Sequence, residues 1–408
     1  MCRVLVTVEP WNALVMWHVP GELDVASLRL MRGSMHCLLI LPPRSHLYLK
    51  LLYNIALLVY IGFIFRWRYL IDQNIVFLDN KSRIVYLVGI LELLVGHCVV
   101  AMELLWSNHS KMIEQQFQEI HDILCVRLGR KVNLVRIEGY CNVIYRFNFI
   151  RIAALAAVTI YSLIATNNFF LLCNLYSETL FALRCGEFTL HTVLVLAFFQ
   201  ELNDAANEIL LGMERLRLDL CSDYCLSAEC LAGLQQIHLL LWKNQRDIEH
   251  NFLRSLIVII MKNFVDTAVI LYWMFVNIIQ KRVYGRLLLY ALTEELGKLL
   301  QIGIPCWICT RCARLQRQFR SLFHGVTVNR QNKHMNNALL RISVQLAQET
   351  AQLSVGGFLI INNEMLGKFL FGMLSYFIVC IQFQLTFIDE DSATRLVTAT
   401  EPNYPTYA

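Results

Sequence analysis

Charged residues are scarce in this chain of 408 residues: they make up 16% of it, whereas 57% of the residues are hydrophobic. A soluble globular domain usually carries about a quarter charged residues. The hydrophobic residues fall in runs of about 20, the length that a helix needs to cross a hydrocarbon layer of ~30 Å. The composition therefore excludes an ordinary soluble protein and predicts an all-α polytopic membrane protein.

Signatures of catalysis and of nucleic-acid binding are also lacking. The sequence contains no nucleotide-binding glycine loop, no Ser-His-Asp order and no HExxH zinc motif, and its eleven histidines are dispersed. The basic residues are scattered between apolar runs instead of forming a surface for a nucleic acid. We therefore expect a protein that is not an enzyme, needs no cofactor and binds no nucleic acid.

Seven segments are long and apolar enough to span a membrane as helices, which satisfy their own backbone hydrogen bonds in lipid. They cover residues 47–65, 84–106, 147–166, 180–200, 253–279, 286–309 and 364–385. Arg184, Glu187 and His191 interrupt the fourth, which makes it the least regular. The chain thus divides into an N-terminal segment (1–46) unlike a signal peptide, a seven-helix domain (47–385) and a tail (386–408).

The distribution of Lys and Arg predicts the orientation. The N-terminal segment and the loops 107–146, 201–254 and 310–341 hold 22 of the 36 basic residues, and the opposite loops with the tail hold nine. Because basic residues accumulate on the cytoplasmic side, the N-terminus is predicted to be cytoplasmic and the C-terminus extracellular. This orientation is the reverse of that of a G-protein-coupled receptor.

The predicted cytoplasmic loops contain apolar residues at helical spacing, in segments 111–136, 201–250 and 335–353. Two structures would explain this amphipathic pattern. Either several transmembrane helices continue into the cytoplasm and pack together as an anchor, or separate helices lie on the membrane surface. We favour the helical extensions.

Charged residues within the spans are expensive in lipid and are therefore functional candidates. Those with a partner three or four residues away on the same helix are Arg184 with Glu187, Lys262 with Asp266, Glu294 with Lys298, and Glu364 with Lys368. Such pairs either neutralise each other locally or line a ligand cavity. Glu92 and Glu103 have no partner at this spacing, which makes them the stronger candidates for a cavity.

Cysteines occur at two informative places. Cys306, Cys309 and Cys312 lie on one helical stripe, but a fourth ligand for zinc or iron–sulfur is missing nearby. Reduced thiols or palmitoylation sites are the favoured interpretation, and no metal site is predicted. Cys173 and Cys185 fall in or near a predicted outside loop, where a disulfide is an alternative to free thiols.

The last predicted span ends in Ser375-Tyr376, five apolar residues and Gln382-Phe383. On a helix Tyr376, Val379 and Phe383 share one face, and Gln382 lies beside it. A face of apolar side chains with one amide suits a narrow pore, because apolar constrictions gate by dewetting. Packing of this helix within a bundle explains the pattern equally well.

This stretch resembles the C-terminal signature of the insect gustatory receptors, a Thr-Tyr followed by five apolar residues and Gln-Phe. The upstream segment Gly357–Asn362 also resembles the sequence that precedes the last helix of that family. Two departures are that Ser375 replaces the usual Thr and that 25 residues follow Phe383. The hydroxyl group is kept at Ser375, whereas the longer tail is a departure at the end that the resemblance places at the outer mouth of a pore.

The resemblance implies a gustatory chemoreceptor, a subunit of a tetrameric ligand-gated, non-selective cation channel that small-molecule tastants open, bitter compounds among them. It places the protein in the plasma membrane of chemosensory neurons, as a homo- or heterotetramer with related receptors. It also implies that Val379, Gln382 and Phe383 form gate and filter, supported by Tyr376. The alternatives are a seven-helix receptor of the G-protein-coupled type and a secondary transporter.

The same resemblance places the tastant in the outer half of the helix bundle. Candidate ligand-binding residues predicted at that depth are Tyr86, Glu92, Tyr161, Glu187, His191, Tyr272, Trp273, Tyr290 and Glu294. A mostly apolar pocket with few polar groups is typical of small-molecule sites. Periodicity does not indicate which of these side chains face the pocket.

Two glycosylation sequons, Asn80-Lys81-Ser82 and Asn108-His109-Ser110, test the predicted orientation. The first falls in a predicted outside loop and the second in a predicted inside loop. Any glycan should therefore sit on Asn80, so that Asn80→Gln removes an endoglycosidase-sensitive mobility shift on a gel and Asn108→Gln preserves it. Glycan on Asn108 would overturn the orientation.

Overall fold

The structure, a computed structural model, describes residues 26–37, several helical positions between 48 and 63, 94–100, 102–103, 109–166, 170–216, 224–279, 285–324, 333–349 and 352–399. Its elements are α1 (Ala26–Cys37), α2 (His109–Asp122) continuing as a π-helical turn (Ile123–Arg127), α3 (Leu134–Thr166), α4 (Phe170–Leu216), α5 (Tyr224–Ile279), α6 (Gly285–His324), α7 (Lys333–Gln348), β1 (Ser354–Val355), β2 (Leu359–Ile360) and α8 (Asn363–Ala399). The predicted all-α architecture is confirmed.

Each of the last five predicted spans lies inside one long helix, namely α3, α4, α5, α6 and α8. Four of these helices are apolar enough to cross a membrane, within Leu134–Ile164, Leu175–Leu211, Glu229–Tyr272 and Asn363–Gln382. Helix α6 is less apolar because Glu294, Glu295 and Lys298 interrupt it. The first two predicted spans lie largely outside the described residues.

Helix α4 occupies the centre of the bundle. All residues of its apolar window are buried, whereas only 17% of those in the windows of α3 and α8 are. It packs against α1, α3, α5 and α6, and Phe188, Phe198 and Phe199 are fully buried between them. A helix that is apolar on all sides is normally an interior helix. Helices α3 and α8 lie at the periphery.

Helices α4, α5 and α6 have 47, 56 and 40 residues. At 1.5 Å per residue they are roughly 60–84 Å long, at least twice the ~30 Å hydrocarbon layer. At the end that the charge distribution places in the cytoplasm, α2 packs on α5 and α7 packs on α5 and α6. Ile113, Phe117 and Ile120 of α2 and Ile342 and Leu346 of α7 are buried there. The amphipathic segments thus extend the bundle instead of lying apart from it.

A short antiparallel hairpin separates α7 from α8, with Val355 paired to Leu359. Its turn contains Gly356 and Gly357 at φ angles of 62° and 77°, a conformation that favours glycine. Asn362 then caps α8, because its Oδ1 accepts the Met365 backbone N–H at 2.8 Å. The hairpin therefore lets α8 start in a direction independent of α7.

Close packing at Gly96 provides a test of this arrangement. A Cβ atom at Gly96 would lie 2.0 Å from Cζ of the buried Phe181 of α4, whereas one at Gly139 of α3 would meet nothing within 4 Å. We expect Gly96→Ala to destabilise the protein by about 1–3 kcal/mol through overpacking. Gly139→Ala should be neutral or stabilise by up to about 1 kcal/mol. Thermal unfolding in detergent measures both, and equal melting temperatures would contradict the close approach.

Candidate functional site

Arg184 of α4 carries a guanidinium group that is 1% exposed and hydrogen-bonded on every side. Its Nη1 donates to Glu187 Oε2 at 2.7 Å, and its Nη2 donates to Glu103 Oε2 at 3.0 Å and to the Asn251 carbonyl at 2.8 Å. Its Nε donates to Ser255 Oγ at 3.2 Å. Two carboxylates thus compensate one buried cation, and α5 supplies the remaining acceptors.

Glu103 has several partners on other helices. Besides Arg184, it accepts the backbone N–H groups of Arg254 and Ser255 of α5, at 2.7 and 2.9 Å. These contacts occupy the Glu103 carboxylate, for which helical spacing had found no partner. Spacing within one helix could not reveal these partners, because they lie on other helices.

A second buried cluster joins α4, α5 and α6. Lys262 of α5 donates to Asp266 on its own helix and to Glu178 of α4. Lys298 of α6 pairs with Glu294 at 2.8 Å and reaches Asp266 at 3.3 Å. The two pairs predicted from i,i+4 spacing are confirmed, and Asp266 connects them into one network. Glu178 was missed because it has no partner at that spacing.

The second cluster brings carboxylate oxygens of Glu178, Asp266 and Glu294 within 4.8 Å of one another, a spacing that could hold a metal ion. The ammonium groups of Lys262 and Lys298 pair with these same oxygens. A metal would have to displace two buried cations. The cluster is therefore best described as an internal ion-pair network.

Pro305 creates a third link between helices. Proline has no backbone N–H, so the carbonyl of Gln301, four residues earlier in α6, lacks its usual helical donor. That carbonyl accepts Cys185 Sγ of α4 at 3.4 Å. The Gln301 side chain accepts Arg151 Nη1 of α3 at 3.0 Å and donates to the Phe181 carbonyl at 3.1 Å. Helices α3, α4 and α6 therefore meet at Gln301.

The cysteines singled out on α4 and α6 are buried. Cys185 is free, so the disulfide considered for it is absent. Cys306, Cys309 and Cys312 are 0%, 5% and 1% exposed, and Cys312 Sγ lies 3.8 Å from the Thr192 carbonyl of α4. Burial raises the pKa of the Cys312 thiol above its ordinary value. These three thiols face the bundle and not the lipid, which argues against palmitoylation.

The predicted ligand-binding residues are divided between the interior and the surface. Glu187, His191, Tyr290 and Glu294 are buried, and Glu187 and Glu294 belong to the two charged clusters. His191 Nδ1 lies 2.8 Å from the Glu187 carbonyl, so these two side chains are neighbours on α4.

The other candidates are more exposed or fall elsewhere. Tyr161 of α3 is 46% exposed, on the same side as the exposed Ile160 and Ile164, so it points away from the bundle interior. Tyr272 of α5 is half-buried, and Trp273 lies on α5 with a side chain outside the described part. Tyr86, Glu92 and Asn80 lie outside the described residues.

The motif residues of the last span lie on α8 and are poorly covered by the rest of the chain. Tyr376 and Val379 are 48% and 45% exposed, and Gln382 is exposed. Phe383 is on the helix, but its side chain is outside the described part. Another side of α8 packs against α5 through edge-to-face pairs of aromatic rings, 5.7 Å apart for Phe264–Phe369 and 5.9 Å apart for Phe275–Phe377.

Replacing Arg184 tests how strongly the stability of the protein depends on pairing its buried carboxylates with a cation. We expect Arg184→Met to lower the free energy of unfolding by about 3–5 kcal/mol, because Glu103 and Glu187 would remain buried without a cation. Adding Glu103→Gln and Glu187→Gln should restore much of the loss. Arg246→Met, at a half-exposed pair with Glu249, should cost about 1 kcal/mol or less. Thermal unfolding in detergent measures each variant; equal losses at Arg184 and Arg246 would contradict this role.

Comparison with known proteins identifies the family. Residues 35–387 match the 7tm Chemosensory receptor family. The chain is 39% identical over 377 residues to the putative gustatory receptor 98a of Drosophila melanogaster, covering 91% of this chain and 95% of that protein. It is 26% identical over 172 residues to gustatory receptor 23a of the same fly, covering 40% and 45% of the two chains.

The fold is also similar to that of a solved insect receptor. The olfactory receptor OR5 of Machilis hrabei in complex with eugenol superposes with a TM-score of 0.57 over 87% of this chain and 98% of that one, at 12% identity. A structure of OR5 described without eugenol gives 0.55 over 88% and 99%, at 11% identity. At this identity the likeness concerns the fold. On the match over most of its length and the relative at 39% identity, this chain belongs to the 7tm chemosensory receptor family, as a membrane receptor of the gustatory type.

Proposed function

We propose that this receptor is one subunit of a tetrameric, ligand-gated and non-selective cation channel that small-molecule tastants open. The observation that carries the proposal is the exposure of Tyr376, Val379 and Gln382 on α8, while the same helix is held against α5. Four copies of α8 around an axis would cover these side chains. Val379 and Phe383 would then form the constriction, and Gln382 would supply the ring of amides.

The tastant would bind in the outer half of the bundle, near the buried Tyr290 and the two charged clusters. Bitter compounds are included as a family-level expectation. Such a ligand opens the channel only if it binds the open arrangement of helices more tightly than the closed one. The two charged clusters provide this difference in ligand affinity, because the geometry of an ion pair between helices changes when the distance between those helices changes.

Helix α5 connects the interior to the proposed pore. It carries Lys262 and Asp266 in the ion-pair network, and Phe264 and Phe275 against α8. A shift of α5 that follows ligand binding would therefore reach α8 without an intermediate element. The proposed location is the plasma membrane of chemosensory neurons, with Asn80 as an extracellular glycosylation site.

Truncation of Phe383 tests the proposed gate. If Phe383→Ala stabilises the wetted state by ~1 kcal/mol, basal current should rise about fivefold. Phe149→Ala is the matched control, since Phe149 is 63% exposed on α3, a helix that carries none of the proposed pore residues. Whole-cell recording against a tastant panel, in cells without an added G protein and with or without related receptors, measures both.

Unchanged basal current in Phe383→Ala, together with normal evoked current, would remove Phe383 from the pore. Tastant responses that require an added G protein would reject the channel itself.

A further inference from the structure

One face of α6 is apolar and directed away from the bundle. Leu289, Leu292, Leu296 and Leu300 are 49%, 51%, 59% and 36% exposed and follow one another at intervals of three and four residues. Trp307 continues this face at 55% exposure. Since lipid is the solvent on this side, the stripe marks the surface of α6 that meets acyl chains. Tryptophan is enriched at the boundary between acyl chains and headgroups.

The same face becomes basic just beyond Trp307. Arg311 and Arg314 lie four and seven residues after it, so the helical repeat places them on the side of Trp307. Arg317 and Arg320 are also exposed, but their positions rotate progressively away from it. Within the described part of the chain, none of these four arginines forms an ion pair. The general excess of basic residues on the cytoplasmic side would not require Arg311 and Arg314 to lie on the lipid-facing side of α6.

A polar cavity of about 610 Å³ adjoins this basic face. The contact of Arg151 Nη1 with the Gly297 carbonyl at 2.8 Å fixes α3 beside α6. Helices α3 and α6 run antiparallel, so residues before Arg151 on α3 lie beside residues after Gly297 on α6. Tyr140, eleven residues before Arg151, therefore lies near the level of Trp307 and Arg311. The residues that line the cavity include Arg136, Tyr140, Gln200, Asn203, Gln318 and Ser321. The cavity therefore begins near the level of the inner headgroups and follows α6 from Leu315 to Leu322, just beyond Arg314.

Hydrogen-bonding capacity in the cavity suits a hydroxyl-rich ligand. Gln200 Oε1 is shielded from solvent and has no hydrogen-bond partner among the described residues. The Asn203 amide donates to the carbonyls of Phe199 and Leu315, at 2.8 and 3.1 Å, which leaves its oxygen as an acceptor. Buried acceptors without donors are costly unless a ligand or water supplies the hydrogen.

Three acidic residues near the cavity share the two guanidinium groups of Arg130 and Arg136. Arg130 lies 3.0 Å from Glu208 and 3.5 Å from Glu201, and Arg136 lies 3.6 Å from Asp204. The exposed arginines of α6 take no part in these pairs, so they add positive charge beside a polar cavity at the membrane surface. Clusters of basic residues immediately cytoplasmic of a transmembrane helix bind anionic lipid headgroups.

We propose that the face from Leu296 to Arg314, together with the cavity, binds a phosphoinositide of the cytoplasmic leaflet. The acyl chains lie along Leu296, Leu300 and Trp307, and the phosphates pair with Arg311 and Arg314. The inositol hydroxyls donate to acceptors such as Gln200 Oε1. This lipid site is separate from the tastant site and from the pore, and it does not depend on the proposed channel activity.

The test uses the full-length receptor in detergent, titrated with a fluorescent phosphatidylinositol 4,5-bisphosphate and followed by anisotropy. We expect saturable binding that Arg311→Gln with Arg314→Gln weakens about tenfold or more. The matched control is Arg317→Gln with Arg320→Gln, which removes the same charge from the same helix but away from the lipid-facing side. It should weaken binding by about threefold or less.

Equal weakening by the two double variants would show general attraction to basic charge and would overturn the site, as would the lack of saturable binding. Arg311→Lys with Arg314→Lys should retain most of the binding, which separates loss of charge from misfolding. Inositol 1,4,5-trisphosphate and inorganic phosphate distinguish a lipid from a soluble ligand. If either displaces the probe as effectively as the unlabelled lipid does, the membrane lipid is not the ligand.

Discussion

The buried guanidinium of Arg184 holds α4, α5 and the helix of Glu103 in one arrangement. An unpaired charge removed from water costs several kcal/mol, which is a large part of the stability of a typical protein. Arg184 can therefore be buried only where all of its partners are in reach. Those partners are Glu187 on α4, Glu103, and Asn251 and Ser255 on α5. Sliding or rotating one helix alone would leave a charge uncompensated, so the cluster fixes the relative register of the helices.

Buried ion pairs among apolar side chains, and an apolar exterior, follow from the same constraint. Lipid surrounds the bundle, so apolar side chains such as those on the outer face of α6 need no burial. Besides close packing, specific helix contacts then come from groups that lipid cannot satisfy, such as the ion pairs of Lys262 and Lys298 and the hydrogen bonds of Gln301. The proposed gating depends on this arrangement, because α5 takes part in the charged network and also packs against α8.

The sequence predicted what local spacing and membrane thickness determine. Apolar runs placed the five later spans within single helices, and i,i+4 spacing found Lys262 with Asp266 and Glu294 with Lys298. Contacts between distant segments were not predictable, because Glu103 and Arg184 are 81 residues apart and Glu178 and Lys262 are 84 apart. Tyr161 illustrates the same limit: its depth could be inferred, but the face that it occupies could not. The charges that made the fourth span look irregular belong to the central helix.

Pro305 has a mechanical consequence for α6. The Gln301 carbonyl accepts a hydrogen bond from the Cys185 thiol, because Pro305 has no N–H to donate to it. Helix α6 therefore lacks one backbone hydrogen bond at this level. Helix α6 is therefore less stiff near Pro305 than along the rest of its length, and it can bend there. The segment before Pro305 carries Lys298 and its ion pairs, and the segment after it carries Trp307 and the arginines. A small tilt of the segment before Pro305 can be absorbed by bending at this point. The segment after Pro305 can then stay in place at the membrane boundary while the ion-pair network rearranges.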